Sequence, residues 1–308
     1  MRLPQAIHMG YSKAMSTTLK SWLGTHSGIH LKTKTNFFPL YYDNFRKGKE
    51  YYGQFFSDAK PEQLCIESDE HLAVQYLDRD WWVNFSNLES IEKISKRIRD
   101  ILLDPKIIVV IRNQTDMVVS KYIQYIRGGG FESFDSFFHR MFSETDGILR
   151  YEGYYYSQVL ELLWDYFGRK NVYVIVQEYF RKRPEVILRE LANFLDIEAF
   201  KKKNVLSNRR SNTSPSYNVV LLERNINKLV VRRKNTHISK ANCRFIPQKL
   251  YAVNILILET IDGKIIKDKK KALFLDNEKR AYIRDIFLKD NQRLCLLLNS
   301  SAIKSLYL

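Results

Sequence analysis

The chain alternates short, almost wholly apolar runs with longer segments in which apolar residues recur every three or four positions. The clearest run, at 106–111, reads KIIVVI, and such a β-branched stretch is typical of a strand buried on both faces of a parallel sheet. Comparable runs predict strands at 6–10, 63–67 and 172–176.

Segments with helical spacing separate these runs. In the segment 88–103 the apolar residues Ile91, Ile94 and Ile98 fall on one face, and Pro105 follows its end. The other helices predicted in this part of the chain lie at 16–23, 116–126, 154–167 and 184–195. Strands that alternate with helices predict an α/β fold with a parallel sheet and crossover connections.

Two regions depart from this alternation. Residues 37–56 are rich in aromatic side chains, and residues 201–216 are polar and basic, so both are expected to form loops. The pattern after 216 is mainly helical, apart from an ambiguous apolar stretch at 253–258. We expect one domain at 1–308, with an α/β core in 1–200 and a helical extension in 201–308.

Composition narrows the class of protein and its partners. Lysine and arginine number 50 against 34 acidic residues, a formal net charge of +16, which favours a nucleic acid, a nucleotide with several phosphates or an anionic glycan. Three cysteines without metal-ligand spacing are typical of a reducing compartment. No apolar run reaches the ~18 residues of a membrane span, and no signal peptide is recognised. We expect a soluble, cytoplasmic protein, with peripheral membrane contact and oligomeric state left open.

The sequence SKAMSTTL at 12–19 lies between a predicted strand and a predicted helix. The first N–H groups of a helix lack intrahelical partners and carry partial positive charge, so a turn of this kind binds anions. Lys13 adds a full charge, and Ser16 and Thr17 add hydroxyl donors. A Walker A motif differs, because its lysine follows a glycine-rich loop. Taken alone, the segment is equally well explained as an ordinary helix start with Ser16 as N-cap.

A second segment, RNQTDMVVSKY at 112–122, follows the apolar run at 106–111. Open α/β sheets bind ligands at the carboxyl ends of their strands, where Arg112 is expected to lie. Its planar guanidinium is suited to bidentate phosphate binding, and Ser120 follows eight residues later on the predicted helix. An isolated arginine in this position would be explained by a plain ion pair.

The two segments together resemble the donor-binding motifs of sulfotransferases that use 3'-phosphoadenosine 5'-phosphosulfate (PAPS), in particular bacterial, carbohydrate-type members. The family patterns are PKxGTTxL and RNPxDRxxSxY. Ser12 and Met15 stand where proline and glycine are usual in the first pattern, and Gln114 and Met117 replace proline and arginine in the second. The resemblance implies a P-loop-like parallel sheet flanked by helices, with a mainly helical C-terminal extension.

The resemblance also implies roles for individual residues. The second segment would hold the 3'-phosphate of PAPS through Arg112 and Ser120. The residues that would hold the 5'-phosphosulfate are Lys13, Ala14, Met15, Ser16, Thr17 and Thr18. A stretch at 210–216 resembles the loop that closes over the donor in many members, which makes Arg210 and Asn212 candidates for donor binding. An ordinary solvated basic loop explains this stretch equally well. The similarity extends through 174–195 to a terminal DNxRL pattern at 290–294.

Sulfuryl transfer resembles phosphoryl transfer, an in-line displacement that depends on positioning and fixed positive charge. The sulfuryl group carries less negative charge than a phosphoryl group, so no metal is required. Lys13 would stabilise charge on the leaving 5'-phosphate, which makes it a catalytic candidate. The acidic turn after the strand at 63–67 would supply the base for an acceptor hydroxyl or amine. Glu70 is the first choice, Glu67 the second and His71 the third, while a solvated acidic turn is the alternative for at least two of them.

The expected acceptor is a carbohydrate or glycolipid. Two other functions would explain part of the sequence. A P-loop kinase or NTPase is disfavoured because no GK[ST] sequence and no clear metal-binding aspartate after a buried strand are present. A basic nucleic-acid-binding protein would explain the charge but not a strand that ends in Arg112 with Ser120 behind it, and no zinc-finger or RNP-like pattern occurs. We therefore expect no nucleic acid partner.

Overall fold

The computed structural model describes residues 1–40, 42–73, 75–76, 84–85, 88–142, 151–201, 215–230, 274–299 and 307. Seven strands lie in this part of the chain: β1 (Ala6–Gly10), β2 (Ile29–Thr33), β3 (Leu64–Ser68), β4 (Gln75–Tyr76), β5 (Asn84–Phe85), β6 (Lys106–Ile111) and β7 (Val172–Val176). Five of them form a parallel sheet in the order β2-β3-β1-β6-β7, and β4 and β5 form a separate antiparallel pair. The predicted α/β fold with a parallel sheet is confirmed.

Helices flank this sheet and extend beyond it. The α-helices of the described residues are α1 (Ser16–Thr25), α2 (Gly48–Gln54), α3 (Leu88–Ile101), α4 (Gln114–Arg127), α5 (Phe134–Phe142), α6 (Tyr156–Phe167), α7 (Gln177–Lys182), α8 (Pro184–Leu195), α9 (Tyr217–Val230) and α10 (Asn277–Leu297). None of the helices in this part of the chain is long and apolar enough to cross a membrane.

The strands with continuous apolar sequence lie at the centre of the sheet. Every residue of β1 is buried, and so are the residues of β6 from Ile107 to Ile111. Burying one such aliphatic side chain contributes about 1.5–3 kcal/mol, so these two strands supply much of the core. On α3, Ile91, Ile94 and Ile98 are buried as the spacing predicted.

The prediction of a loop over 37–56 is wrong where α2 forms. The sequence pattern also predicts no element at β2, α5 or α7. The α2 helix has seven residues and includes two glycines, so its local propensity is low. Tertiary packing stabilises it, because Tyr52 is fully buried and stacks on Phe37 with ring centroids 4.2 Å apart. In the edge strand β2 only Ile29 is buried, and its sequence, IHLKT, gives no continuous apolar run.

The C-terminal helices pack on the α/β core. Asn227 on α9 donates hydrogen bonds to the carbonyls of Ile126 and Gly130, each over 2.7 Å. On α10, the carboxylate of Asp290 accepts a hydrogen bond from the hydroxyl of Ser157 over 2.5 Å. These buried contacts join α9 and α10 to the core, although the assignment of all 308 residues to one domain stays a prediction.

Strand order brings the candidate residues to one edge of the sheet. The chain passes from β1 to β2 and β3 on one side and then crosses to β6 and β7 on the other, so β1 lies at the switch point. Ligands of open α/β sheets bind at such a point, outside the carboxyl ends of the strands. The turn after β1, the acidic turn after β3 and Arg112 after β6 all lie there.

Candidate active site

The turn after β1 is tied to the acidic turn after β3. The backbone N–H of Asp69 donates to the carbonyl of His8 over 3.0 Å, and that of Ala73 donates to Met9 over 2.8 Å. Gly10 has a φ of +136°, and a Cβ at this position would lie 2.9 Å from the carbonyl oxygen of Glu70. Only glycine allows this close approach, so the two turns keep one relative position.

Met15 occupies a backbone conformation that favours glycine. Its φ of 49° and ψ of 18° lie in the left-handed region, and it is the N-cap of α1. A non-glycine residue in this region is destabilised by about 1–2 kcal/mol. The position where the sulfotransferase pattern has glycine therefore has glycine-like geometry here, although its residue is methionine.

Ser16 is the first residue of α1 and not its N-cap, so the helix-cap explanation of this serine is wrong. Its hydroxyl donates to the carbonyl of Tyr11 over 3.0 Å and holds the turn closed. Met15 provides no side-chain cap, so no capping side chain occupies the start of α1 in the described structure. Its first N–H groups are therefore of the kind that bind an anion. Thr17 is exposed and Thr18 half-buried beside them.

Arg112 connects the second segment to this turn. Its Nη1 donates to the carbonyl oxygen of Lys13 over 2.7 Å, and the side chain is only 3% exposed. Nε and Nη2 have no hydrogen-bond partner among the described residues, although the Asp116 carboxylate lies 3.6 Å from Nη2. Burial lowers the pKa of Arg112, partly offset by Asp116. A buried guanidinium with unused donors fits an anionic ligand at this point.

The helix after Arg112 is positioned by its own N-cap. The side chain of Asn113 accepts hydrogen bonds from the N–H groups of Thr115 over 3.0 Å and Asp116 over 3.4 Å. The N–H of Asn113 in turn donates to the Glu178 carboxylate over 2.9 Å, which ties the start of α4 to the helix after β7. Ser120 lies on this helix as predicted, and it is 6% exposed.

Lys13 is an exposed residue of the turn after β1, yet its pKa is lowered from the ordinary value of a lysine. Desolvation by the surrounding walls is the first cause, and the positive charges of Arg127 and Arg112 add to it, while the Glu70 carboxylate raises the pKa. The concentration of positive charge around the turn favours a bound anion.

Glu70 is an ion-paired carboxylate. Its oxygens lie 2.8 Å from Lys20 Nζ, 3.6 Å from Lys34 Nζ and 3.8 Å from His71 Nε2. Burial alone would raise its pKa, but the hydrogen bond from Lys20 and the charges of His71 and Lys20 lower the pKa to about 2. A carboxylate held ionised in this way is a weak proton acceptor.

Glu67 lies inside the protein with no exposed surface. It accepts hydrogen bonds from the hydroxyl of Thr35 over 2.5 Å and from the hydroxyl of Tyr52. Burial raises its pKa to about 7, against the opposing effect of these hydrogen bonds. Its pKa would suit a general base, whereas its enclosure in the core gives an acceptor no path to it.

His71 follows Glu70 at the same edge, and its side chain is 15% exposed. Burial lowers its pKa to about 3, with Lys34, Lys121 and Lys20 adding to the shift and Glu70 opposing it. The imidazole is therefore neutral at pH 7, and with this pKa it is a weak proton acceptor, as Glu70 is.

Three lysines of this region escaped the sequence analysis, namely Lys20, Lys34 and Lys121. Lys20 lies on α1 and Lys34 follows β2, so neither belongs to a recognised motif. Lys121 is next to Ser120 and 5% exposed, and its position in a largely apolar helix was the signal that could have singled it out. Arg210 and Asn212 lie outside the described residues.

Comparisons with known proteins place this geometry in a family. The profile described as sulfotransferase domain matches residues 84–242, which is more than half of the chain. No curated protein sequence matches the chain.

Two solved structures share the fold. A sulfotransferase from Alicyclobacillus acidocaldarius matches with a TM-score of 0.61 and 16% identity, over 99% of this chain and all of that one. The mouse sulfotransferase SULT7A1, solved in complex with PAP, matches with a TM-score of 0.51 and 15% identity, over 99% of this chain and 89% of that one. At this low identity the likeness shows the fold, and the family follows from the domain match. The chain belongs to the sulfotransferase family and is an enzyme that transfers a sulfuryl group to an acceptor.

Proposed function

We propose that the sulfuryl donor of this enzyme is PAPS, held by the Lys13 turn at its 5'-phosphosulfate and by Arg112 and Ser120 at its 3'-phosphate. The observation that carries the proposal is the buried Arg112 guanidinium, which donates to the Lys13 carbonyl and whose Nε and Nη2 make no hydrogen bond among the described residues. A nucleotide with phosphates on both the 3' and the 5' positions satisfies the guanidinium and the α1 N-terminus together. The SULT7A1 complex with PAP supports this class of ligand.

Within this proposal the turn also stabilises the leaving group. As sulfur separates from the 5'-phosphate, negative charge develops on the phosphate oxygen next to the α1 N–H groups and Lys13. Donors that are already in place stabilise such charge without reorganisation, and one of them is typically worth about 3–4 kcal/mol of barrier.

We propose that Glu70 and His71 share the task of accepting the acceptor's proton. Neutral His71 takes the proton when the anionic donor offsets the lysine charges that lower its pKa, and the Glu70 carboxylate, 3.8 Å from Nε2, stabilises the imidazolium that forms. Glu70 is less suited to act alone because the contacts with Lys20 and Lys34 favour its ionised form and its pKa is lower still, about 2. Lys20 and Lys34 keep Glu70 at the edge of the sheet, since both lie against its oxygens.

We propose a carbohydrate hydroxyl as the acceptor. The acidic turn after β3 resembles that of glycan-modifying members, which supports this class. Of the described aromatic residues between β2 and β3, Phe37, Phe38, Tyr52 and Phe56 are fully buried, which leaves exposed Tyr42 and half-buried Phe45, Tyr51 and Phe55 for stacking on a sugar ring. A transfer assay with labelled PAPS against matched panels of glycans, glycolipids, phenols and amines tests it, and label in the phenol or amine panel alone would refute it.

The donor proposal is tested by thermal unfolding in metal-free buffer. We expect 3'-phosphoadenosine 5'-phosphate (PAP) to raise the melting temperature, because a ligand that binds only the folded state stabilises it by an amount that grows with the logarithm of ligand concentration over Kd. ATP with magnesium is the matched control. A shift with ATP and magnesium alone, and none with PAP, would overturn the proposal.

A further inference from the structure

Lys121 is a lysine buried on the helix that carries Ser120. It lies on α4, its residue surface is 5% exposed, and its Nζ has no hydrogen-bond acceptor among the described residues. An unpaired ammonium removed from water is strongly unfavourable, and proteins normally pair it or expose it. A residue that is retained at such a cost points to a ligand that supplies the missing charge.

The surroundings of Lys121 locate that ligand. Burial, with a smaller contribution from the charge of Lys13, lowers its pKa to about 7, so Lys121 lies within electrostatic range of the donor turn. The charge of Lys121 also contributes to the low pKa of His71. Lys121 follows Ser120 on α4, the helix that begins two residues after Arg112, and it lies within electrostatic range of both the turn that would hold the donor and the imidazole that would receive the acceptor's proton. Glu70, the nearby anion, is paired with Lys20 and Lys34 instead.

We infer that Lys121 Nζ binds a non-bridging oxygen of the sulfuryl group during its transfer, which makes Lys121 a catalytic residue. The inference rests on the proposed PAPS site. In the transfer, the bond between sulfur and the 5'-phosphate oxygen breaks and its electron pair stays on that oxygen. A bond forms between sulfur and the acceptor oxygen, whose proton passes to His71. The negative charge of the bound donor favours the protonated form of Lys121, which donates to the moving group and keeps its proton, so it is neither consumed nor regenerated.

A purely structural lysine makes the opposite prediction for stability. Methionine has nearly the same length and no charge, so Lys121→Met removes an unpaired buried cation and fills the same space. If Lys121 serves the ligand, this variant is more stable than the wild type and has a weaker donor site, the trade-off expected of a functional residue that is unfavourable for folding. If Lys121 holds the fold together, the variant melts at a lower temperature.

The experiment compares PAP and PAPS binding by calorimetry at low temperature for the wild type, Lys121→Met and the control Lys96→Met, whose lysine is exposed on α3. PAP lacks the sulfuryl group, so an effect on PAPS affinity that is absent for PAP reports the contact between Lys121 and the sulfuryl group. We expect Lys121→Met to weaken PAPS binding about 10- to 100-fold, the range for a hydrogen bond to a charged group, while PAP binding changes less than about threefold. The melting temperature rises, and Lys96→Met changes neither ligand.

Three results would overturn the inference. Equal weakening of PAP and PAPS places Lys121 at a phosphate, unchanged binding of both removes it from the site, and a lower melting temperature assigns it to the fold. Failure of the wild type to bind PAP is a separate result, because it refutes the PAPS site itself and the inference with it.

Discussion

The guanidinium of Arg112 donates from Nη1 to the carbonyl oxygen of Lys13 over 2.7 Å, across 99 residues of sequence. This bond joins the residue that ends β6 to the turn that follows β1. Arg112 thereby shapes the turn with one donor and retains Nε and Nη2 for a ligand, as far as the described residues show. In the proposed PAPS site, one side chain would couple binding of the 3'-phosphate to the geometry of the 5' site.

Replacing Met15 by glycine is expected to relieve backbone strain and to strengthen donor binding. At a φ of 49°, glycine avoids a destabilisation of about 1–2 kcal/mol and has no Cβ next to the turn. Met15→Ala is the matched control, since it also removes the side chain but keeps the strain. We expect Met15→Gly to be more stable than Met15→Ala in urea unfolding and to bind PAP more tightly. A glycine variant that is less stable than the alanine variant would contradict this account of Met15.

Replacing Glu67 by glutamine tests whether the Glu67 carboxyl has a structural or a catalytic role. Glu67 has a folded pKa of about 7 against an ordinary value of 4.5, so the folded state binds its proton more tightly. The stabilisation that comes from this tighter proton binding is fully present below pH 4.5 and is lost as the pH rises through about 7. The free energy of unfolding lost in this way is up to about 3 kcal/mol.

The Glu67→Gln variant cannot titrate, so its free energy of unfolding is expected to vary less between pH 4.5 and 7. Asp69, whose pKa burial raises to about 6, leaves a smaller slope of the same sign. Transfer activity persists, since Glu67 has no exposed surface. A loss of transfer of 100-fold or more, with normal stability and PAP affinity, would instead identify Glu67 as the base.

Replacing His71 by asparagine is expected to reduce kcat about 100- to 10,000-fold while PAP affinity stays unchanged, because a general base acts on the acceptor's proton and not on the donor. Glu70→Gln is expected to reduce kcat less. It also removes the charge that raises the pKa of His71, so that pKa falls further below its value of about 3.

The control is Glu62→Gln, an exposed glutamate close to the start of β3. Steady-state kinetics over a range of pH measures these effects. Full activity in His71→Asn, together with loss of activity in Glu70→Gln, would assign the proton transfer to Glu70.

The convergence of Lys13, Glu70 and Arg112 was predictable from sequence, because each follows an apolar run that forms a parallel strand and the carboxyl ends of such strands meet at one edge. The ion pairs of Glu70 were not predictable. Lys34 follows β2, an edge strand without a continuous apolar run, and Lys20 approaches Glu70 only through the packing of α1 on the sheet. The enclosure of Glu67 depends on α2, whose helix forms through tertiary contacts of Tyr52 and not through local propensity.

The Lys13 turn and Arg112 are proposed to form one site for two phosphates, and the ratio of Kd for 5'-AMP and PAP tests this most directly. Calorimetry in metal-free buffer compares the two nucleotides, which differ only in the 3'-phosphate. We predict that the wild type binds PAP at least tenfold more tightly than 5'-AMP, and that Arg112→Met removes this preference, since one charge-assisted hydrogen bond is worth about 1.5–3 kcal/mol. Equal affinity of the wild type for PAP and 5'-AMP would contradict the account.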